Sequence, residues 1–258
     1  MTISQKKKLH SNEKEVSIIM PAYNVERQIK GAIKAIQGIM EEMNLNYEII
    51  VIDDGSHDNT FKEASELSGR SVRVLKNKFN MGKGYSIKKG VFESSKDYVI
   101  MLDADMEISP SALKIYLSYL NKFDIVIGSK RQQGSIYRAP LTRKILSIGF
   151  NNIVRLLTGI NQSDTQTGLK MFRSEHIKRI IKLVVTNRYA FDVEILVIAK
   201  LMNLKIGEIP VHIEQRGQFS AKEVMKMFLD LLGIVYRLRV IRWYQKKIYS
   251  QDFSKAVR

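Results

Sequence analysis

The chain has 258 residues, no cysteine and a formal net charge of +16. The absence of cysteine excludes disulfides, thiol nucleophiles and cysteine zinc sites. The positive charge indicates an anionic partner, which could be a nucleic acid, an acidic membrane surface or a phosphorylated substrate. No run of about 18 uncharged apolar residues occurs, so we expect no transmembrane helix, and any contact with a membrane should be peripheral.

Residues 1–14 form the first segment of the chain. Consecutive lysines occupy positions 6–8, and no apolar core follows them. We therefore predict a disordered basic tail rather than a signal peptide.

Apolar runs then alternate with helical patterns. We predict strands at residues 16–20, 47–52, 72–75 and 98–102, each followed by a helix. A further strand is predicted at 124–129, before an apolar helix at 145–157. This alternation is typical of βαβ units, so it predicts an α/β fold with a mostly parallel, Rossmann-like sheet flanked by helices.

Acidic residues follow two of these strands. Asp53 and Asp54 end the second strand, and Asp103 and Asp105 follow the fourth. Open α/β sheets bind ligands beyond the carboxyl ends of their strands. An Asp-x-Asp pair there can hold a hard divalent cation through oxygen atoms, leaving positions for water and substrate phosphate. The alternatives are a polar turn for the first pair and carboxylates that cap the next helix, near Ser109, for the second.

Four short motifs stand in order at these strand ends: PAYN (21–24) with Glu26, VIDDGSHDNT (51–60), NMGKG (80–84) and LDAD (102–105). Together they resemble the nucleotide-binding part of a family 2 glycosyltransferase with the GT-A fold. The resemblance implies a donor site made of Pro21, Ala22, Tyr23, Glu26, Asp53, Asp54, Lys83, Asp103, Ala104 and Asp105. In that site Asp54 can accept the imide N–H of a base, and carboxylates suit ribose hydroxyls.

The second half carries SDTQTGLKMFR (163–173), RYAFDVEIL (188–196) and EIPVHI (208–213). These segments are similar to the dolichyl-phosphate β-glucosyltransferase branch of the family, which is related to polyprenyl-phosphate mannose synthases. The resemblance covers residues 15–220, taken as one GT-A domain. It implies inverting transfer of a hexose, glucose from UDP-glucose, to polyprenyl or dolichyl phosphate.

The metal implied by the resemblance is Mg²⁺ or Mn²⁺, bound by Asp103, Asp105 and Glu107. Glu107 departs from the family pattern, because mannose synthases commonly have Gln near the metal. An N-terminal membrane anchor, frequent in the glucosyl branch, is also not evident.

A lipid phosphate acceptor would need positive groups to hold it in line with the anomeric carbon. Lys130, Arg131, Arg143 and Arg216 are candidates, with Ser147 one helical turn after Arg143. We predict Arg131, Arg143 and Asp192 as catalytic, with Asp192 either the base, if one is used, or a residue that organises the acceptor site. Asp164 and Gln166 should contact the donor sugar or order the acceptor loop. The alternative for the charges at 138–155 is a solvated helix face.

Residues 221–258 form a basic amphipathic region. Its predicted apolar face contains Val224, Met227, Phe228, Leu231, Ile234, Val235, Leu238 and Ile241, and Trp243 and Tyr244 follow. Such a helix can lie in a membrane interface, where anionic lipids attract its basic residues. The alternatives are packing on the sheet or against a second copy in a homodimer.

Two other functions were weighed. A polyprenyl-phosphate mannose synthase would use GDP-mannose, and the motifs do not choose firmly between the two donors. A nucleic-acid-binding protein would also be basic, but no set of nucleic-acid-binding motifs occurs, so we expect no nucleic-acid partner. For a lipid phosphate acceptor we expect a peripheral location on the cytoplasmic face of a membrane.

Overall fold

A computed structural model describes residues 14–215 and 221–256. The seven strands of its main sheet are β1 (Glu15–Ala22), β2 (Asn46–Asp53), β3 (Val72–Lys76), β4 (Tyr98–Met101), β5 (Ile125–Ser129), β7 (Lys170–Arg173) and β8 (Ile206–Pro210). The helices between them are α1 (Glu26–Glu42), α2 (Thr60–Ser65), α3 (Lys83–Glu93), α4 (Ala112–Ser118), α5 (Leu141–Thr158), α6 (Ser174–Ile181) and α7 (Phe191–Leu201).

The order of strands in the sheet is β3-β2-β1-β4-β7-β5-β8. β7 runs antiparallel to both β4 and β5, and every other pair in this sheet is parallel. The predicted mostly parallel sheet flanked by helices is therefore confirmed. Because β7 is reversed, its first residue, Lys170, lies at the carboxyl edge of the parallel strands.

The core occupies both faces of this sheet. Along β1, Ile18 and Met20 pack into one cluster and Ile19 into the other, and β2 and β4 alternate in the same way. Consecutive strand residues point to opposite faces, so a strand covered on both sides must be apolar throughout. Each fully buried aliphatic side chain contributes about 1.5–3 kcal/mol, which explains why the continuous apolar runs became strands.

A smaller sheet pairs β6 (Ile136–Arg138) with β9 (His212–Glu214) in parallel. An isolated bridge joins Ile108 to Ile213, and so links this small sheet to the segment after β4. The link brings Gln215 beside Glu107.

The C-terminal region begins with α8 (Ala221–Val235), continues through a π-helical turn (Tyr236–Val240) and ends with α9 (Trp243–Ala256). The predicted apolar face of α8 packs inward, since Met227, Leu231, Ile234 and Leu238 are buried in the core cluster of one sheet face. For this face the structure therefore agrees with the alternative of packing on the sheet, and the same holds for Trp243 and Tyr244. Tyr244 is fully buried, and Trp243 packs against the same cluster.

The structure describes part of the predicted N-terminal tail and part of the region around the predicted C-terminal boundary. Residues 1–13 lie outside the described ranges, whereas Lys14, placed in the predicted tail, donates a hydrogen bond to the Leu117 carbonyl (2.7 Å). The predicted boundary at 220/221 adjoins residues 216–220, which are also outside them. Within the ranges that are described, no helix has the length and hydropathy needed to cross a membrane.

Candidate active site

A cavity of about 550 Å³ opens at the carboxyl edge of the sheet. Many of the predicted site residues line it: Pro21, Ala22, Tyr23, Asp54, Lys83, Asp103, Ala104, Asp105, Glu107, Lys130, Arg143, Ser147, Gln166 and Asp192. Glu26, Asp53, Arg131 and Asp164 are not among the lining residues. Arg216 lies outside the described part of the chain.

Asp54 closes one end of the cavity and organises the glycine loop before α3. Its carboxylate accepts hydrogen bonds from the Asn77 amide and from the backbone N–H groups of Met81 and Gly82, at 2.8–3.0 Å. Gly82 has φ +98°, a conformation that favours glycine. A carboxylate has about four lone-pair sites. These three donors therefore leave about one site for a ligand.

Asp53 and Glu26 support this end of the cavity from behind. Asp53 is fully buried; one of its oxygens accepts the Ser56 N–H (3.3 Å), and the other has no hydrogen-bond partner among the residues described. Glu26 accepts the Asn59 N–H (2.9 Å). Neither carboxylate is at the cavity wall, because Asp53 points opposite to its neighbour Asp54 and the Glu26 side chain holds the 53–60 loop.

Asp103 and Asp105 form the wall beyond β4. Lys83 contacts Asp103 at 2.8 Å between Nζ and Oδ2. Burial, helped by the charge of Asp105, raises the pKa of Asp103 although Lys83 opposes the rise. Burial and the nearby Glu107 charge likewise raise the pKa of Asp105. Gly168 makes the wall possible, because a Cβ on that residue would lie 2.3 Å from Asp103 Oδ2.

Glu107 lies on the same wall, but its carboxylate is hydrogen-bonded to Gln215. Its carboxylate accepts a hydrogen bond from the Gln215 amide (2.6 Å), and its own N–H donates to Asp105 Oδ1 (3.0 Å). Among the described residues, no three acidic, histidine or cysteine side chains converge as a preformed metal cluster. The predicted three ligands thus share one wall without meeting at one point, because Lys83 and Gln215 each hold one of them.

The opposite wall is built from the end of β5 and the loop at 163–168. Lys130 is buried against Asp164, with 3.5 Å between Nζ and Oδ2. Burial alone would raise the pKa of Asp164, but Lys130 and three hydrogen bonds outweigh it, and the pKa is lowered. The Asp164 carboxylate also accepts the Lys130 and Gln166 N–H groups and the Thr167 hydroxyl. Asp164 therefore orders the loop, while Gln166 reaches the cavity.

Arg131 is turned away from the cavity. Its guanidinium donates to the backbone carbonyls of Ser163 (2.5 Å) and Ser147 (3.0 Å), and so ties the loop to α5. This placement argues against the predicted direct role for Arg131 with phosphate, since two of its donors are engaged by the backbone. Arg143 and Ser147, one turn apart on α5, do line the cavity.

Asp192 stands at the N-terminal end of α7, on the cavity floor. Its Oδ1 lies 2.8 Å from Nζ of Lys170, and its Oδ2 lies 4.0 Å from Nζ of Lys83. Burial favours the neutral acid, but the two lysines outweigh burial, and the pKa of Asp192 is lowered. Burial lowers the pKa of Lys83, but the charges of Asp103 and Asp192 outweigh it, and the pKa is raised.

Several lining residues were not predicted from the sequence. They are Val25, Tyr137, Arg188, Tyr189, Gln215, Glu223 and Met227, whereas Asn80 and Gly82, which also line the cavity, belong to the NMGKG motif. Arg188 and Tyr189 belong to the RYAFDVEIL motif, so that motif could have suggested them. Tyr137, whose ring lies 5.2 Å from Nζ of Lys130, comes from the short strand β6 and carried no such signal.

Comparisons with curated proteins give consistent relatives. The chain is 32% identical over 254 residues to the human dolichyl-phosphate beta-glucosyltransferase, covering 90% of this chain and 78% of that protein. It is 33% identical to the Dictyostelium discoideum protein of the same name, covering 88% and 76%. For ALG5A of Trichomonas vaginalis, also named a dolichyl-phosphate beta-glucosyltransferase, the identity is 31%, with 88% and 75% covered.

Solved structures share the fold at lower identity. Glucosyl-3-phosphoglycerate synthase of Mycobacterium tuberculosis, in complex with Mn²⁺, uridine diphosphate and glucosyl-3-phosphoglycerate, superposes with a TM-score of 0.68 at 19% identity, covering 92% of this chain and 83% of that one. Mannosyl-3-phosphoglycerate synthase of Rubrobacter xylanophilus gives 0.66 at 20% identity, covering 93% and 78%.

A profile of the family described as Glycosyl transferase family 2 matches residues 17–181. The matched part contains the strand ends that carry Asp54, Asp103 and Asp105. With the relatives at 30% identity or more over most of the chain, the match establishes that this protein belongs to glycosyl transferase family 2.

Proposed function

We propose that this protein transfers glucose from UDP-glucose to a dolichyl or other polyprenyl phosphate, with inversion at the anomeric carbon. One observation carries the proposal. A single cavity is lined by two carboxylates suited to a metal-bound diphosphate, Asp103 and Asp105, and by a guanidinium and a hydroxyl suited to a phosphate, Arg143 and Ser147. The names of the relatives support the choice of glucose and of dolichyl phosphate.

The nucleoside would occupy the end of the cavity formed by Pro21, Ala22, Tyr23 and Asp54. The lone-pair site that remains on Asp54 can accept the imide N–H of uracil, and the exposed Tyr23 ring offers a surface for the base. Lys83 and Ala104 would then lie by the ribose. Glu26 and Asp53 would act from behind, by holding the 53–60 loop.

A divalent cation, Mg²⁺ or Mn²⁺, would be held by Asp103, Asp105 and Glu107. The donor set fits such an ion, because its members are carboxylate oxygens gathered on one wall of the cavity. When bound, the ion would neutralise the charge of the diphosphate leaving group. The carboxylates would place that positive charge beside the diphosphate, at the carboxyl end of β4.

The acceptor phosphate would bind at Arg143, Ser147 and Lys130, with Gln166 at the sugar. A phosphomonoester has a second pKa of about 6, so most of it is doubly ionised near neutral pH. One of its oxygens would form the bond to the anomeric carbon while the bond from that carbon to the diphosphate oxygen breaks. Because most of the acceptor is already doubly ionised, the transfer needs no general base, and the predicted role of Asp192 as a base is not used here.

Two exposed apolar stripes support a peripheral position on a membrane. On α5 the stripe consists of Leu141, Ile145, Ile148 and Leu156, and on α8 and the π-helical turn it consists of Met225, Leu229, Leu232, Tyr236 and Val240. The two helices contact each other through Phe150 and Phe228, whose ring centroids are 5.9 Å apart. A helix that is apolar on its outer as well as its inner face is typical of contact with lipid.

These stripes flank the cavity that would receive the lipid phosphate. Arg143 and Ser147 on α5 and Glu223 and Met227 on α8 line that cavity. A bilayer against the stripes would present the acceptor headgroup at its mouth. We therefore propose docking on the cytoplasmic face of a membrane through this surface.

The reaction is tested with purified protein, polyprenyl phosphate and either Mn²⁺ or Mg²⁺. We expect transfer of label from UDP-glucose into a lipid-extractable product, and stabilisation of the fold by UDP-glucose in a thermal-shift assay, because binding to the native state raises its melting temperature. Stabilisation and turnover with GDP-mannose alone would instead identify a mannose synthase. No turnover with any common nucleotide-sugar would contradict the proposal.

The membrane surface is tested by co-sedimentation with anionic phospholipid vesicles. We expect the double variant Leu229→Asp, Leu232→Asp to lose vesicle binding, and Phe92→Asp, a similarly exposed apolar residue on α3 (59% exposed), to retain it. Wild-type protein that ignores vesicles but forms a dimer broken by the double variant would show that a second copy covers the stripes instead.

A further inference from the structure

Lys170 is a buried charge that the proposed reaction does not use. It is 1% exposed, and its neighbours in the sequence, Leu169, Met171 and Phe172, are all apolar core residues. Its ammonium donates to the Thr167 carbonyl and pairs with Asp192 Oδ1 at 2.8 Å. A methionine of similar length would fill this space without desolvation of a charge, so packing alone does not account for a lysine.

The reversed direction of β7 explains how this charge reaches the site. Lys170 is paired with Met101 of β4 on one side and with Ile127 of β5 on the other. It therefore lies beneath the floor of the cavity, between the strand that precedes Asp103 and the strand that precedes Lys130. Its Nζ contacts Oδ1 of Asp192, whereas the contact of Lys83 is with Oδ2.

Four charges then alternate across the floor: Lys170, Asp192, Lys83 and Asp103. The three successive distances are 2.8, 4.0 and 2.8 Å. The charges sum to zero, and Lys83 is nearer to Asp103 than to Asp192. Because Lys170 is closely paired with Asp192, it shares the attraction that Asp192 would otherwise exert on Lys83. Without it, Lys83 would be drawn away from Asp103 and from the donor end of the cavity.

We propose that Lys170 is a positioning residue and that the Lys170–Asp192 pair fixes Lys83 against Asp103 for donor binding, so that Asp192 acts through Lys83 and not as a base. This inference rests on the proposed function, since the donor is taken to be a nucleotide-sugar. It assigns a role to a lysine that does not line the cavity. It also makes the sum of the four charges, rather than any one carboxylate, the property that matters.

The test compares Lys170→Met, Asp192→Asn and the double variant that carries both changes. Lys170→Met leaves Asp192 to draw Lys83 away from Asp103, and Asp192→Asn leaves two ammonium groups whose repulsion displaces Lys83. The double variant keeps the Lys83–Asp103 pair with no excess charge. For each single variant we expect affinity for UDP-glucose with Mn²⁺, measured by calorimetry, to fall about 10–100-fold. This is the range of about 10–100-fold seen when an outer-shell partner of a metal-binding residue is removed. We expect the double variant to recover most of this loss, and to recover turnover with it.

Lys96→Met is the matched control, because Lys96 pairs with Glu15 (3.5 Å) outside the cavity. We expect its donor affinity to equal that of the wild type. If Lys170→Met does not fold, Asp192→Asn and the double variant still decide the question: better donor binding and turnover in the double variant support the proposal. If Asp192 is a base, the two will be equally inactive with donor affinity unchanged, and the proposal is overturned.

A failure of the proposed function would look different. In that case the wild type itself neither binds UDP-glucose nor forms a glycolipid, and the melting temperatures still test the charge pair. A double variant more stable than Asp192→Asn supports a balanced pair, because removing one partner of a buried pair is far more destabilising than removing both. A double variant no more stable than Asp192→Asn overturns it.

Discussion

Two acidic pairs, which look alike in the sequence, stand at the ends of β2 and β4 on either side of β1. At β2, Asp53 is fully buried behind the cavity and Asp54 is engaged by three protein donors. At β4, Asp103 and Asp105 both line the cavity, and both have raised pKa values. Adjacent residues at the end of a strand point in opposite directions, which leaves Asp53 behind the cavity and Asp54 at its wall. After β4 the chain turns at residues 104–105, and both carboxylates of that pair lie at the wall. The two pairs therefore differ in that one member of the β2 pair lies behind the cavity, whereas both members of the β4 pair line it.

The difference between the two pairs is tested by neutralising one member of each. We expect Asp105→Asn to reduce turnover with UDP-glucose about 10²–10³-fold, because it removes a carboxylate that would hold the divalent cation beside the diphosphate. Asp53→Asn, a change of the same type in a buried residue that does not line the cavity, should keep turnover within about fivefold of the wild type if its fold is intact. Equal losses in the two variants would show that the pairs do not differ in role.

The second largest effect should come from Gly168→Ala. A methyl group there would lie 2.3 Å from Asp103 Oδ2, so the carboxylate must move. We expect turnover to fall about 10²-fold, as a displacement of about 1 Å in an active site can cause. Gly38→Ala, where a Cβ would meet nothing within 4 Å, should instead raise stability by about 0.5–1 kcal/mol and leave turnover unchanged. Full activity in Gly168→Ala would contradict the close contact between residue 168 and the Asp103 carboxylate.

Asp54→Asn should have an intermediate effect of a different kind. An amide in place of the carboxylate loses one of the acceptors that hold the loop at Met81 and Gly82. We expect the KM for UDP-glucose to rise about tenfold and stability to fall by about 1–3 kcal/mol. Steady-state kinetics and chemical denaturation measure the two effects. A fall in kcat with an unchanged KM would place Asp54 with the β4 pair.

The smallest effect concerns stability and pH in metal-free protein. The pKa of Asp105 is raised in the folded state, so its charge opposes folding at neutral pH, and the opposition disappears below the pKa of the unfolded state. In EDTA at pH 7.5 we expect Asp105→Asn to melt higher than the wild type, by less than about 4 °C. The difference should vanish below about pH 4. A lower melting temperature at pH 7.5 would contradict the raised pKa.

The strands of the first half could be predicted because each is an apolar run that forms its own signal. β7 could not, since it has four residues, begins with a lysine and pairs with strands distant in sequence. The helical periodicity of α8 was visible, but one helix proved apolar on two faces, and the sequence does not tell which face the core covers. Tyr244 became a buried partner of Glu194 for the same reason.

The site shows the same division. Motifs at strand ends predicted that Asp54, Asp103 and Asp105 belong to one site, and the three residues line one cavity. The direction of Arg131, the Gln215 contact of Glu107 and the burial of Lys170 depend on which carbonyl or carboxylate the fold brings near, and no local pattern encodes that. The sequence therefore indicated where these charged residues lie along the chain, but not which groups they bind.

The placement of β7 bears on how the chain reaches its native state during synthesis. As the ribosome adds residues from the N-terminus, β1 to β4 can associate early, but the outer side of β4 has no neighbour until residues 170–173 have emerged. Exposed strand edges are templates for intermolecular pairing. The nascent protein therefore passes through a stage that favours aggregation, and a fragment ending before residue 170 would be trapped there.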